Sequence, residues 1–204
     1  MIVCEKFQPR LHSLDELAVL LYETEPWASR WLFGWNREKA LQKIKTFIET
    51  PRNYFSYENA WVVVREGHLA GAIVCFAHGE TSEIRDATIF LKTASVIDFL
   101  RVLFIVMPVF EYTMTFHLRK GELYIGILNV LNAYQHQGIG SALMSKSLEL
   151  AKEKKCRRIL LEVQQTNKPA IALYEKCGFT IVRKRTIPFI PIISTYTMEL
   201  AIPQ

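Results

Sequence analysis

The 204-residue chain has only four cysteines, Cys4, Cys75, Cys156 and Cys177, and no two of them form a CxxC pair. No histidine stands at a zinc-ligand spacing from them, so no metal site is expected. Free thiols of this kind suit a reducing compartment, and cytoplasm is the expected one. A clean apolar run of about 20 residues is also missing, which argues against a membrane span. The most lipid-like stretch, Val96 to Phe110, is broken by Asp98, Arg101 and Pro108 and reads as a buried helix. The opening residues carry charges and a proline, so no secretory signal is expected there. The net charge of +5 comes without a compact basic run interleaved with aromatics, so nucleic acid is not an expected partner. Repeats, low-complexity tracts and linkers are absent too. One domain over residues 1–204 is the expectation, with half the residues apolar and 22% charged, which suits a folded core.

What is present is a mixed order of elements. "MIVCEKFQ" reads as a first strand. Ser13 followed by Glu16 has the spacing of a capping box, and Leu14, Leu17, Leu20 and Leu21 make one apolar face of a helix ending near Pro26. Asn36 caps a second helix that stops at Pro51. Two apolar runs around "REGH" predict a hairpin. Residues 83–116 form a strongly apolar insert, helical in part, carrying Phe90, Phe99, Phe104, Phe110 and Tyr112. Gly121 to Leu131 is a long apolar strand, a helix follows it, and "RRILLEVQQ" alternates as a strand. "NKPAIALYEKCG" is a short helix with Asn167 as cap and Gly178 as its end. Two more strands close the sequence. This order implies an α/β or mixed α+β sheet with helices on both faces.

The segment "NAYQHQGIGSALMSKSLELAKEKK" carries the first chemical signal. Gly138 and Gly140 open a helix, although glycine costs about 1 kcal/mol against alanine inside one. No acid appears between Asn132 and Glu149. A helix start exposes unpaired N–H groups and positive potential, and glycine lets an anion approach the backbone. Gln135, Gln137 and Ser141 can donate further hydrogen bonds, which makes this a phosphate cradle. It is neither a dinucleotide fingerprint, since Leu143 stands where the third glycine belongs, nor a Walker loop, since the lysine is missing.

Gln-x-x-Gly-x-Gly after an apolar strand resembles the acyl-CoA pyrophosphate loop of the GNAT family of N-acetyltransferases. The match extends to Asn167, Ala170, Leu173, Tyr174, Lys176, Gly178 and Phe179, which fall on the Asn-x-x-Ala-x-x-Leu-Tyr-x-Lys-x-Gly-Phe arrangement of the family's next helix. Together the motifs span about residues 121–180. The N-terminal half is similar, more loosely, to a bacterial subgroup of acetyltransferases of unassigned substrate. Two positions depart from the pattern: Asn132 where proline is common and His136 where glycine is common.

The resemblance implies a mostly antiparallel twisted sheet that splays at its middle strands. It implies that Leu128, Asn129 and Val130 receive the pantetheine arm through their backbone. Residues Gln135 to Ser141 would hold the pyrophosphate of acetyl-CoA, with Asn167, Ala170, Leu173 and Tyr174 beside the arm. Direct attack of an amine on the thioester would follow, with Val130 N–H as oxyanion donor and Tyr174 as the acid for the leaving thiolate. Glu122, at the start of the central strand, is the candidate base; Glu23, Glu25, Glu58 and Glu162 are the other acids in range of the reading. By alternation Glu122 shares its face with Tyr124, Gly126 and Leu128. Trp27, Trp31, Phe33 and Trp35 with Glu23 and Glu25 would suit a cationic amine. The partners expected are acetyl-CoA and an amine acceptor, with no membrane and with room for a homodimer. A non-catalytic acyl-CoA sensor on the same fold is the alternative.

Overall fold

In the computed structural model, residues 2–106, 118–186 and 194–203 are described. Pro108, Phe110 and Tyr112 of the apolar insert lie outside them. Ser13 starts α1 (Leu14–Thr24) by accepting the Glu16 N–H at 3.2 Å. The expected box does not close, because the Glu16 carboxylate reaches across to the Leu69 N–H (2.8 Å) and the His68 ring. Leu17, Leu20 and Leu21 are buried as their spacing predicts. The helix stops at Thr24, but Pro26 then begins a further helix, α2 (Pro26–Phe33), that the aromatic-rich sequence did not announce. Proline suits a first helical turn, where its missing N–H costs nothing. Asn36 caps α3 (Arg37–Glu49) through Lys39 N–H at 2.9 Å.

The first strand is short: β1 (Glu5–Lys6) pairs with β2 (Ala60–Arg65). The hairpin is as expected, with β2 joined to β3 (His68–Ala77) by Glu66 and Gly67, both at positive φ (52° and 83°). Such two-residue turns match the twist of the paired strands. The insert contains α4 (Glu83–Thr93) and α5 (Val96–Arg101), followed by a π turn over Val102–Val106. It is not simply core: Ile97 is 73% exposed and Phe104 70%.

Next come β4 (Glu122–Val130), α6 (Ile139–Glu153), β5 (Arg158–Gln164), α7 (Lys168–Lys176), β6 (Thr180–Arg185) and β7 (Thr195–Ala201). The strands form one sheet in the order β1-β2-β3-β4-β5-β7-β6. Every neighbouring pair is antiparallel except β4 and β5. Ile73, Ile125, Leu161 and Met198 pack with α6 and α7 on one face. Val62, Val74 and Ile127 pack with α1 and α3 on the other. β3 runs between these layers, and its residues from Leu69 to Phe76 are all buried.

Candidate active site

The site is made by a fault in the middle of the sheet. On β4, Ile125 pairs with Cys75 and Ile127 with Val74, so Gly126 is an extra, bulged residue. A Cβ at Gly126 would lie 2.4 Å from the Tyr54 hydroxyl oxygen. Only glycine fits under that ring. The bulge inverts the alternation: Leu123 and Ile125 face α6, whereas beyond it Ile127 faces α1 and Leu128 and Val130 take the α6 side. The expectation that Leu128 shares a face with Tyr124 therefore fails.

Past the bulge β4 also leaves β5. Parallel pairing runs from Glu122 with Arg158 to Ile125 with Leu161 and stops there. β5 instead stays with β7 as far as Gln164 and Thr195. A wedge opens between residues 126–130 and 162–164. Leu131 donates its N–H to Ala70 O on β3 at 2.9 Å. Antiparallel alternation then turns the N–H and C=O groups of Leu128 and Val130 toward the wedge. Asn129 points the other way, and its side-chain amide donates to Leu20 O at 2.8 Å, holding the end of α1 against β4.

At the mouth of the wedge lies the start of α6. Gly138 is its cap residue, at φ 83°, and no side chain caps the helix. Its first turn contains no acid. The first helical bond is Ala142 N–H to Gly138 O, which leaves the amides of Ile139, Gly140 and Ser141 directed outward. Gly140 has a packing role as well. A Cβ there would lie 3.1 Å from Leu173 Cδ2, so this glycine lets α6 pack against α7. Gln135 and Gln137 brace the loop, donating to Val130 O (3.1 Å) and Ala133 O (3.1 Å) respectively. His136 is exposed at φ 60°.

α7 begins with Asn167, which accepts the Ala170 N–H at 3.2 Å. It ends at Cys177 and Gly178, with Gly178 N–H on Glu175 O and Phe179 N–H on Tyr174 O. This double closure, with Gly178 at φ 91°, sets Phe179 against Tyr174, ring centroids 6.1 Å apart. Tyr174 is buried. Its burial, helped by the charge of Glu25, raises the phenol to about 12.

The acids are not distributed as expected. Glu122 is buried at the start of β4, at the far end of the strand from Val130. It accepts from the Arg158 Nε at 2.9 Å and from Arg119 N–H at 2.8 Å, so both oxygens are engaged in structure. Glu25, at the joint of α1 and α2, lies close enough to add its charge at Tyr174, Tyr54, Tyr124 and Glu162. Burial raises its own pKa, against a hydrogen bond with Gln164. Glu162, the first β5 residue past the point of separation, is raised to about 7 by burial, which the nearby Arg185 only partly offsets. Glu23 pairs instead with Arg37 on the surface, and Glu58 accepts the Arg52 N–H. Tyr54 and Arg185 are missing from the sequence reading. The "NYF" turn and the last residue of a basic strand gave no pattern by which to single them out.

The arrangement is one sheet wedge, one uncapped helix start after it, and a buried tyrosine within electrostatic reach of Glu25, which in turn reaches Glu162. A family model of the acetyltransferase (GNAT) family matches residues 18–179. The chain belongs to that family. N-alpha-acetyltransferase 30 of Dictyostelium discoideum is 41% identical over 61 residues, covering 30% of this chain and 33% of the relative, so the match spans about a third of that protein. An N-acetyltransferase from Staphylococcus aureus Mu50 superposes with a TM-score of 0.72 at 17% identity, over 97% of this chain and 100% of that one. A Bacillus subtilis acetyltransferase in complex with CoA gives 0.60 at 15% identity, over 100% of both chains. These two structures show the shared fold. Among the described residues no group of side chains is placed to hold a metal ion, and no helix is long and apolar enough to cross a membrane.

Proposed function

We propose that this GNAT chain transfers the acetyl group of acetyl-CoA to an amine by direct attack within a ternary complex. The observation that carries the reading is the loss of β4–β5 pairing beyond Ile125 and Leu161, aligned with the uncapped start of α6. The wedge offers backbone groups of Leu128 and Val130 to an extended amide-bearing chain, as a sheet edge does to an added strand. Ile139, Gly140 and Ser141 offer three N–H groups to a diphosphate. The B. subtilis complex with CoA supports the choice of ligand. Acetyl-CoA supplies the activated thioester, and the protein supplies position and proton management.

Glu162 takes the place first given to Glu122 as base. Its carboxyl titrates near neutrality, so it can accept a proton from an incoming ammonium. Glu25 stands beside it and favours positive charge there. Val130 N–H faces the wedge, where a donor stabilises charge developing on a carbonyl oxygen. Tyr174 keeps its proton at neutral pH and is the donor for the departing thiolate. A C–N bond forms and the C–S bond breaks; of the two protons an ammonium loses on becoming an amide, one passes to Glu162 and on to solvent, and the second leaves the tetrahedral adduct to replace the one that Tyr174 gives to the thiolate. All four cysteines are unpaired, which suits work in a reducing compartment such as the cytoplasm.

The test is calorimetry with CoA followed by thiol release from acetyl-CoA across a panel of amines. Gly138→Asp places a side chain at a left-handed position and a negative charge in the cradle. CoA affinity should drop about 100-fold or more, since charge repulsion adds to backbone strain. Unchanged affinity in that variant would falsify the phosphate assignment. CoA binding with no thiol release from any amine would point to a sensor.

A further inference from the structure

Among the described residues, four buried polar atoms at one side of the wedge have no hydrogen-bond partner: Glu162 Oε2, Arg185 Nη1 and Nη2, and Thr195 Oγ1. They lie on three adjacent strands. Gln164 and Arg185 both pair with Thr195 across the ladders, and Glu162 pairs with Thr197. Alternation puts Thr195 and Thr197 on one face of β7 and Tyr196 and Met198 on the other, in the core. Arg185 is also the single buried residue of β6, whose other five are exposed. The side chains of Arg185 and Glu162 are only 8% and 6% exposed, and their closest charged atoms are 3.7 Å apart, beyond hydrogen-bond range. Buried polar groups are normally satisfied, and a buried guanidinium whose neighbouring carboxylate stands outside hydrogen-bond range is an arrangement that folding alone does not favour.

The chemistry that would fill the site is specific. A guanidinium edge takes a carboxylate through two parallel hydrogen bonds. Glu162 Oε2 next to it takes a cation, and Glu25 stands close by. We propose that Arg185, Thr195 and Glu162 form the acceptor subsite, and that the acceptor is a free α-amino acid. Its carboxylate lies on the Arg185 fork and the Thr195 hydroxyl, and its amine lies at Glu162. In an α-amino acid one carbon joins the two charged groups, which matches the short separation of Arg185 and Glu162. A peptide N-terminus puts a neutral amide where the carboxylate belongs, and a polyamine puts nothing there. This rests on the acetyl-transfer reading above. The same proton and bond balance applies, with the α-nitrogen as nucleophile and the carboxylate unchanged.

The experiment compares common α-amino acids with their own carboxamides and with short peptides, following thiol release from acetyl-CoA and measuring CoA binding on the same preparation. The best free acid should exceed its amide in kcat/KM by about 30-fold or more, consistent with leaving a buried arginine unpaired. Arg185→Gln should collapse that ratio to a few-fold, mainly by raising KM for the acid. If Arg185→Gln does not fold, Thr195→Val removes one contact to the carboxylate and should reduce the ratio in the same sense. Equal turnover of acid and amide, or a preference for peptides, with CoA still bound, overturns the subsite and leaves the cofactor reading intact. Absence of CoA binding overturns both.

Discussion

Tyr174 shows how one side chain is tuned by its neighbours. The chain reversal at Gly178 puts Phe179 against its ring, and burial does the rest. The phenol gains a firm hold on its proton and becomes a weaker acid than free tyrosine. Tyr174→Phe should lower kcat about 100-fold while CoA affinity stays within about threefold, as expected when a proton donor is lost without loss of packing. Equal losses in both would leave the ring a packing role only. Glu162 makes a second prediction at this scale. On its proposed role as base, the raised pKa means that the proton-accepting, ionised form accumulates as pH rises, so kcat/KM should climb to about pH 7 and then level off. Glu162→Gln should flatten that limb. The stability sign is opposite. A carboxyl raised from 4.5 to about 7 in the fold contributes stability below pH 4.5 that is lost as pH rises through about 7.

The elements show where sequence periodicity is informative and where it fails. Helix caps at Ser13, Asn36 and Asn167, the hairpin at Glu66 and Gly67, and the loop before α6 were all legible, because each depends on local backbone chemistry. The roles of Glu16, Gly140 and Glu122 were not, because each is set by a residue distant in sequence: Leu69, Leu173 and Arg158 respectively. The bulge at Gly126 was the costliest omission. Counting by twos from Glu122 leads to the wrong face beyond it, and a lone glycine in a strand does not say which neighbour excludes a side chain. Gly126→Ala forces its methyl group into Tyr54, and overpacking of that kind costs roughly 1–3 kcal/mol. Denaturant melts should show that loss. The same variant should also blunt turnover, since the bulge aims Leu128 and Val130 at the wedge. A fully stable, fully active Gly126→Ala protein would contradict this account.

At the scale of the whole molecule, helix α5 of the insert is anchored to α2 and α3 by charge. Asp98 of α5 is buried and receives Lys43 from α3 and Arg101 from its own helix, while Arg101 Nε reaches Trp31 O of α2 at 2.6 Å. Burial alone would raise the Asp98 pKa, but hydrogen bonds from Lys43, Ser95 and Arg101 overcome it and hold the carboxyl well below the usual carboxylate range. Its contribution is therefore present above the ordinary carboxylate pKa of about 4 and lost on acidification below it. Asp98→Ala should cost about 3 kcal/mol near neutral pH, because two cations lose a common partner, and the difference from wild type should shrink in acid. Urea titrations at pH 7 and pH 3 measure both.

The parallel ladder between β4 and β5, four residue pairs long, also bears on how the molecule responds to its ligand. It is the seam along which the outer three strands meet the inner four, and beyond it the sheet has an empty slot. Whatever lies down in that slot supplies the hydrogen bonds of a missing strand and stitches the halves together. The melting temperature should therefore be a property of the coenzyme concentration as much as of the polypeptide.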